Sequence, residues 1–203
     1  MADQYFSANP ASESRPRGIT VRYRGADYPF TTDAGVFSRD DLDEGSRLLL
    51  DALPDLVSGQ SGLDLGCGWG PVGTLWALRS PQGIFTLTDI NERAAGLAEA
   101  NLRRNGAANA HAVCGDSFEN AEGLYDAIAL NPPIRTGKDN IYRMFRESMA
   151  HLKEGGCLYI VIRVKQGAAS AKKMLLTEFG NCETVSRGGG FHVLVCKKEA
   201  EAK

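Results

Sequence analysis

The strongest constraint on the fold is a rhythm that begins at Gly62. Short apolar runs, "GLDLGC", "GIFTLTDI", "AHAVCGD", "YDAIALN" and "CLYIVIRV", alternate with helix-like segments near 71–79, 92–105, 140–152 and 168–179. Strand–helix alternation of this kind builds βαβ units, hence a parallel sheet with helices on both faces. The last two runs, "ETVSR" and "FHVLVCK", are joined by Gly188-Gly189-Gly190, which leaves no room for a helix. They are predicted to pair antiparallel at the sheet edge. The expected fold is therefore α/β: a seven-stranded Rossmann-like sheet, mostly parallel, with an antiparallel edge strand.

An N-terminal β-hairpin is expected to precede it. In "GITVRYRGADYPFTTD", Ile19, Val21 and Tyr23 point one way and Thr20, Arg22 and Arg24 the other, with "RGAD" as the turn, so one face is basic. "FSRDDLDEGSRLLLDALPDL" then reads as a helix, with Ser38 as N-cap, acids in the first turn, and Leu42 and Leu48 to Leu53 at helical spacing. Residues 1–17 read as a mobile polar leader, 18–60 as hairpin and helix, and 61–198 as the core of one domain. A chain of 203 residues, 43% of them hydrophobic, is long enough to bury such a core.

Several classes of function are disfavoured. No apolar run is long enough to cross a bilayer and the N-terminus has no signal-like segment, so a soluble cytoplasmic protein with no membrane partner is expected. The five cysteines form no C-x-x-C pair and the three histidines are scattered, so no metal site and no disulfide framework is expected. A formal net charge of -2 means that any contact with nucleic acid must come from local patches.

The loop "LDLGCGWGPVG" follows the first core strand and opens a helix at Pro71. Gly66, Gly68 and Gly70 let the backbone turn sharply and approach a ligand. Alone, this loop also fits a dinucleotide site, since Gly68 to Gly73 satisfies G-x-G-x-x-G and Asp89 lies about 20 residues on. The strands that follow favour another ligand, because each ends in a polar residue: Asp64, Asp89, Asp116 and Asn131. That edge is where ligands lie in open α/β sheets. An acid-lined pocket suits a cation better than a pyrophosphate, and S-adenosylmethionine carries a sulfonium and an ammonium but no phosphate. Asp89 suits the ribose hydroxyls, Asp116 the adenine amino edge, and Asp64 the amino-acid end; a helix N-cap is the plain alternative for Asp89 and Asp116.

"DLGCGWG", "TDINERA", "CGDSF" and "NPPIR", in this order, resemble the class I S-adenosylmethionine-dependent methyltransferases. "DAGVFSRDDLDEGSRLLL" and "NPPIRTGK" are similar to the methyltransferase small domain family, whose best-known members are RsmC-type small-subunit rRNA guanine-N2 methyltransferases. The likeness spans roughly residues 18–198. It implies an enzyme using S-adenosylmethionine on RNA, either small-subunit rRNA or a ribosomal particle. The implied cofactor site comprises Asp64, Gly66, Cys67, Gly68, Gly70, Asp89, Ile90, Asp116, Ser117 and Asn131. Asn131, Pro132, Pro133 and Ile134 are the implied catalytic residues.

The chemistry explains why Asn-Pro-Pro suits such a task. An exocyclic amine shares its lone pair with the ring and is a poor nucleophile until two acceptors grip its hydrogens. Asn131 Oδ1 is one acceptor and the Pro132 carbonyl the other, while the prolines hold the backbone extended and remove competing N–H donors. Ile134 departs from the aromatic residue that many relatives place fourth, so a flipped base must stack elsewhere or not at all. Phe37 is a candidate, or else an anchor for the hairpin. Arg135, Lys138, Arg163, Lys165, Lys172 and Lys173, with Arg22 and Arg24, are candidate flanks of an RNA path. Adenine-N6 or protein-glutamine methylation, a silent RNA-binding or ribosome-assembly protein, and a NAD-linked oxidoreductase are the competing readings.

Overall fold

The computed structural model describes residues 13–200. Its elements run β1 (Arg17–Tyr23), β2 (Ala26–Thr32), α1 (Glu44–Ala52), β3 (Ser61–Leu65), α2 (Pro71–Arg79), β4 (Ile84–Asp89), α3 (Glu92–Asn105), β5 (Ala110–Cys114), β6 (Tyr125–Leu130), α4 (Lys138–Ala150), β7 (Leu152–Arg163), α5 (Ala168–Phe179), β8 (Glu183–Gly188) and β9 (Phe191–Lys197). The main sheet has seven strands in the order β5-β4-β3-β6-β7-β9-β8. Pairing is parallel from β5 to β7, and β9 runs antiparallel to both β7 and β8. The expected antiparallel pair is present, with the reversed strand β9 one place in from the rim and β8 outermost.

Period-two alternation sorts the core onto two faces. Along β6, Ala127 and Ala129 face a cluster built with α1, α2, α3 and the hairpin, which includes Leu49, Trp76 and Phe85. Ile128 and Leu130 face the other side, where Phe145 of α4 and Leu175 of α5 pack. The inner strands β3, β4 and β6 are thus covered on both sides, as a parallel sheet requires, while β5 at the rim leaves His111 and Cys114 exposed.

The hairpin packs on the first face. Arg24 and Gly25 both have positive φ, 49° and 84°, the two-residue turn geometry whose twist matches paired strands. Val21, Tyr23 and Phe30 are buried, whereas Arg22 is exposed. Asn101 of α3 stitches the hairpin down by donating to the Thr31 carbonyl at 2.8 Å and accepting from the Thr31 N–H at 2.7 Å. Of the expected leader, residues 1–12 lie outside the described residues. Ser14 donates to Asp33 at 2.6 Å, the Arg15 N–H bonds the same carboxylate, and Arg17 already begins β1.

Helix α1 starts later than the sequence suggests. Asp43, not Ser38, is its N-cap, accepting from the Gly45 and Ser46 N–H groups at 3.0 and 3.1 Å. Ser38 sits at φ 51° and donates instead to the Asp41 carbonyl. The acids after Ser38 therefore belong to turns, and those turns become part of a wall described below. No helix among the described residues is long and apolar enough to cross a membrane, and no cluster of metal-ligating side chains is found there.

Candidate active site

A cavity of about 650 Å³ opens at the C-terminal edge of the sheet, within the size range of ligand pockets. One half is built from the ends of β3 and β4 and the loop between β3 and α2. Gly66, Gly68 and Gly70 have φ of 72°, 58° and 81°, a region that side chains with a Cβ rarely adopt. A Cβ at Gly66 or Gly68 would meet nothing within 4 Å, so the bare backbone there faces open space, whereas one at Gly70 would strike Ala98. Asp64 is buried, and its Oδ2 accepts from the Gly73 N–H at 2.8 Å in the first turn of α2. Burial pushes its carboxyl up to about 7 despite that bond, with the Asp89 charge adding in the same direction. Asp89 accepts from the Gly68 N–H at 2.8 Å and the Asn91 N–H at 2.9 Å, and burial raises its carboxyl as well. The N-cap of α3 is Asn91, so Asp89 is not spent on capping. Cys67 and Ile90 line the same half, and burial holds the Cys67 thiol well above its ordinary range.

The opposite half gathers residues from distant parts of the chain. Asn131 follows β6, and its Nδ2 donates to Ser46 Oγ of α1 at 3.0 Å. This fixes the amide so that Oδ1 is left for another donor. Ser46 is buried and its own N–H is held by the Asp43 cap, so the acceptor amide is anchored through α1. Pro132, Pro133, Ile134 and Arg135 also line the cavity. The Pro133 carbonyl closes a tight turn by accepting from the Thr136 N–H and hydroxyl at 2.9 and 2.8 Å. Ile134 packs partly against the α4–α5 core.

A third wall comes from residues 34–43. Three carbonyls of this segment are held by side chains of the cofactor half: Trp69 Nε1 donates to Phe37 at 3.0 Å, Asn91 Nδ2 to Gly35 at 3.0 Å, and Arg93 to Ala34 at 2.7 Å. Phe37 lines the cavity and is 52% exposed as a residue, so it is no buried anchor for the hairpin. Asp116 is exposed at the rim, and its carboxylate meets Arg143 at 2.7 Å. Ser117, at φ 56°, donates to Glu147, which Arg143 also binds.

The expected cations divide. Arg135 and Arg163 line the cavity; Lys138, Lys165, Lys172 and Lys173 do not. Lys138 is the first residue of α4, and Lys172 on α5 reaches Thr184. Arg22 and Arg24 lie at the hairpin tip, beside Tyr23, whose hydroxyl contacts Asp51 and Arg79. Neither Arg22 nor Arg24 lines the cavity, although Arg47, which follows the lining residue Ser46 on α1, donates to the Arg22 carbonyl at 2.8 Å. Arg22 is moreover paired with Asp27 at 3.2 Å. Ser46, Arg143 and Phe191 are lining residues that sequence reasoning missed. Only Ser46 left a signal, three residues after an acid at a helix start, and that pattern says nothing about a partner 85 residues away.

A sheet of this order, with a glycine loop and acids at its C-terminal edge, defines a Rossmann-like methyltransferase, and its cofactor is S-adenosylmethionine. The family model described as "Methyltransferase small domain" matches residues 27–195, and the chain belongs to that family. It is 38% identical over 202 residues to YbxB of Bacillus subtilis (strain 168), covering 98% of this chain and 100% of that protein. It is 40% identical over 131 residues to ribosomal RNA small subunit methyltransferase C of Mannheimia succiniciproducens, covering 63% of this chain and 39% of that one. Among solved structures, the T. thermophilus 16S rRNA N2 G1207 methyltransferase (RsmC), in complex with AdoMet and guanosine, superposes with a TM-score of 0.81 at 27% identity. That match covers 92% of this chain but 52% of the Thermus chain, so this chain spans about half or less of those two methyltransferases.

Proposed function

We propose that this protein transfers a methyl group from S-adenosylmethionine to the N2 amine of a guanine in small-subunit ribosomal RNA. The observation that carries the reading is the fixed amide of Asn131, whose Nδ2 is engaged by Ser46 and whose Oδ1 is left to accept at the cavity. Oδ1 and the Pro132 carbonyl together offer two acceptors to an amine with two hydrogens and no competing backbone donor. The small-subunit rRNA methyltransferase relative, and the guanosine bound in the Thermus complex, support guanine as the base.

The residues of the cavity suit the cofactor. Asp89 would accept from its ribose hydroxyls, Asp64 would face its ammonium end, and the bare backbone at Gly66 and Gly68 admits close approach. When bound, S-adenosylmethionine supplies an electrophilic methyl on a cationic sulfur. The protein's part is positioning and electrostatics: Asn131 and Pro132 orient the amine and draw density toward its nitrogen as it loses conjugation with the ring. The nitrogen is cationic once it has taken the methyl, and in that form it loses a proton to water, so no strong base is needed. The test is transfer of labelled methyl from S-adenosylmethionine into RNA, DNA and protein fractions, followed by mapping of N2-methylguanosine in RNA from cells with and without the protein. Label in adenine or in protein glutamine would overturn the choice of substrate, and no transfer to any fraction would favour a silent assembly role.

A further inference from the structure

We infer that Phe191, backed by the Arg163 guanidinium, is the stacking platform for the nucleobase brought to Asn131. The need for one is set by position 134, where an isoleucine packed partly on the core has no π face to offer. Phe191 opens β9 and Arg163 closes β7, and the two are register partners at the sheet's C-terminal edge. Both line the cavity, and the guanidinium lies over the Phe191 ring at 4.8 Å from its centroid. Neither Arg163 nor Arg135 has a carboxylate partner among the ion pairs of the described residues, while Arg143 at the same cavity has two. Arg163 thus presents a planar cation beside an aromatic ring, the pair of surfaces on which unstacked bases are held.

The ring is seated against the start of α1. A Cβ at Gly45 would come within 2.8 Å of Phe191 Cε1 and 3.0 Å of Cδ1. Gly45 has no positive φ, so its backbone does not demand glycine; the space does. The next residue is Ser46, which holds Asn131. One turn of α1 therefore sets both the ring and the amide, and a purine lying on the first can present its amine to the second.

The identity of the base rests on the proposed function, but the platform can be tested without turnover. Guanosine would be titrated into protein saturated with S-adenosylhomocysteine, with binding followed by saturation transfer and the ring-current shift at the guanosine H8 proton. Wild type and Phe191→Tyr should bind alike. Phe191→Leu keeps an apolar side chain against Gly45 but removes the π face, and should bind about tenfold or more weakly, with cofactor affinity and thermal midpoint unchanged. Arg163→Lys keeps the charge without the plane, and should weaken binding by several fold. A leucine variant that binds guanosine as wild type does would overturn the proposal, as would a wild type that shows no guanosine binding at millimolar concentration. If the leucine variant fails to fold, Gly45→Ala reads the same point by displacing the ring, and retained guanosine binding there would be equally fatal. Guanosine held at Phe191 without methyl transfer to RNA would sink the RNA reading and leave the platform standing.

Discussion

The two halves of the cavity are held in place by different means. In the cofactor half, Asp64 and Asp89 are gripped by main-chain N–H groups at Gly68, Gly73 and Asn91, all within one strand–loop–helix–strand unit and its exit. In the acceptor half, Asn131 is held by a single side chain from α1, and Phe191 by the absence of one at Gly45. Backbone donors survive every substitution except proline, whereas each support of the acceptor half is a side chain, or the lack of one, that any substitution alters. The cofactor half should therefore yield when its acids or its loop glycines are changed, and the acceptor half should be open to loss of turnover at positions that never touch S-adenosylmethionine.

The largest effect that would sharpen this contrast is expected at Asn131→Ala. Methyl transfer should fall by about two orders of magnitude or more, while calorimetry finds S-adenosylmethionine affinity nearly intact. Loss of cofactor affinity in that variant would mean the halves are not separable. Asp89→Ala should do the reverse, weakening S-adenosylmethionine binding about 10- to 100-fold through lost charge-assisted bonds. Next comes Ser46→Ala, which frees the Asn131 amide to turn over. It should lower kcat about tenfold with cofactor affinity unchanged, and add nothing in an Asn131→Ala background.

A graded effect of similar size should come from pH. The Asp64 carboxyl, raised to about 7 by burial, is protonated in the empty site below that value. A cationic ligand selects the ionised form, so affinity should rise with pH and level off above about 7, with a change of about tenfold between pH 6 and pH 8. The same raised value makes Asp64 a contributor to folding stability at low pH, lost as pH rises through about 7. Asp64→Asn should flatten the affinity profile; a profile that stays steep would assign the titration to another group. The smallest effect is expected at the hairpin tip, where Arg22→Ala with Arg24→Ala should leave the KM for RNA and its salt dependence unchanged, while Arg135→Ala raises the first and flattens the second.

The cofactor half was legible in the sequence because it is local. Alternating glycines after an apolar run, and acids at successive strand ends, state the geometry within stretches that pattern can read. The acceptor half was legible only in part. Asn131-Pro132-Pro133 announces its chemistry, but its supports come from α1 and β9, and the spacing between those segments carries no periodicity. Ser38 was an attractive cap by residue type, yet Asp43 lies nearer the leucines and won. The basic face of the hairpin was legible from alternation, while its absence from the cavity lining depended on where the hairpin packs, a tertiary fact. Phe191 read as one more apolar residue in a strand, because nothing in "FHVLVCK" tells whether its first ring is core or wall.

The reversal of β9 has a consequence for how this enzyme can change over evolutionary time. A parallel strand can offer a ligand only the residues at its end, whereas a reversed strand brings its first residue, and the turn before it, to the same edge. Here that turn is Gly188-Gly189-Gly190, pressed against Glu44 at the start of α1 with no space for a Cβ at Gly189. It connects neighbouring strands at the far side of the sheet from the glycine loop. A change in the length of this turn would shift Phe191 in the acceptor wall without touching the machinery that holds the methyl donor. The β8–β9 turn is thus a place where new substrate preferences can be tried while the donor chemistry is inherited unchanged.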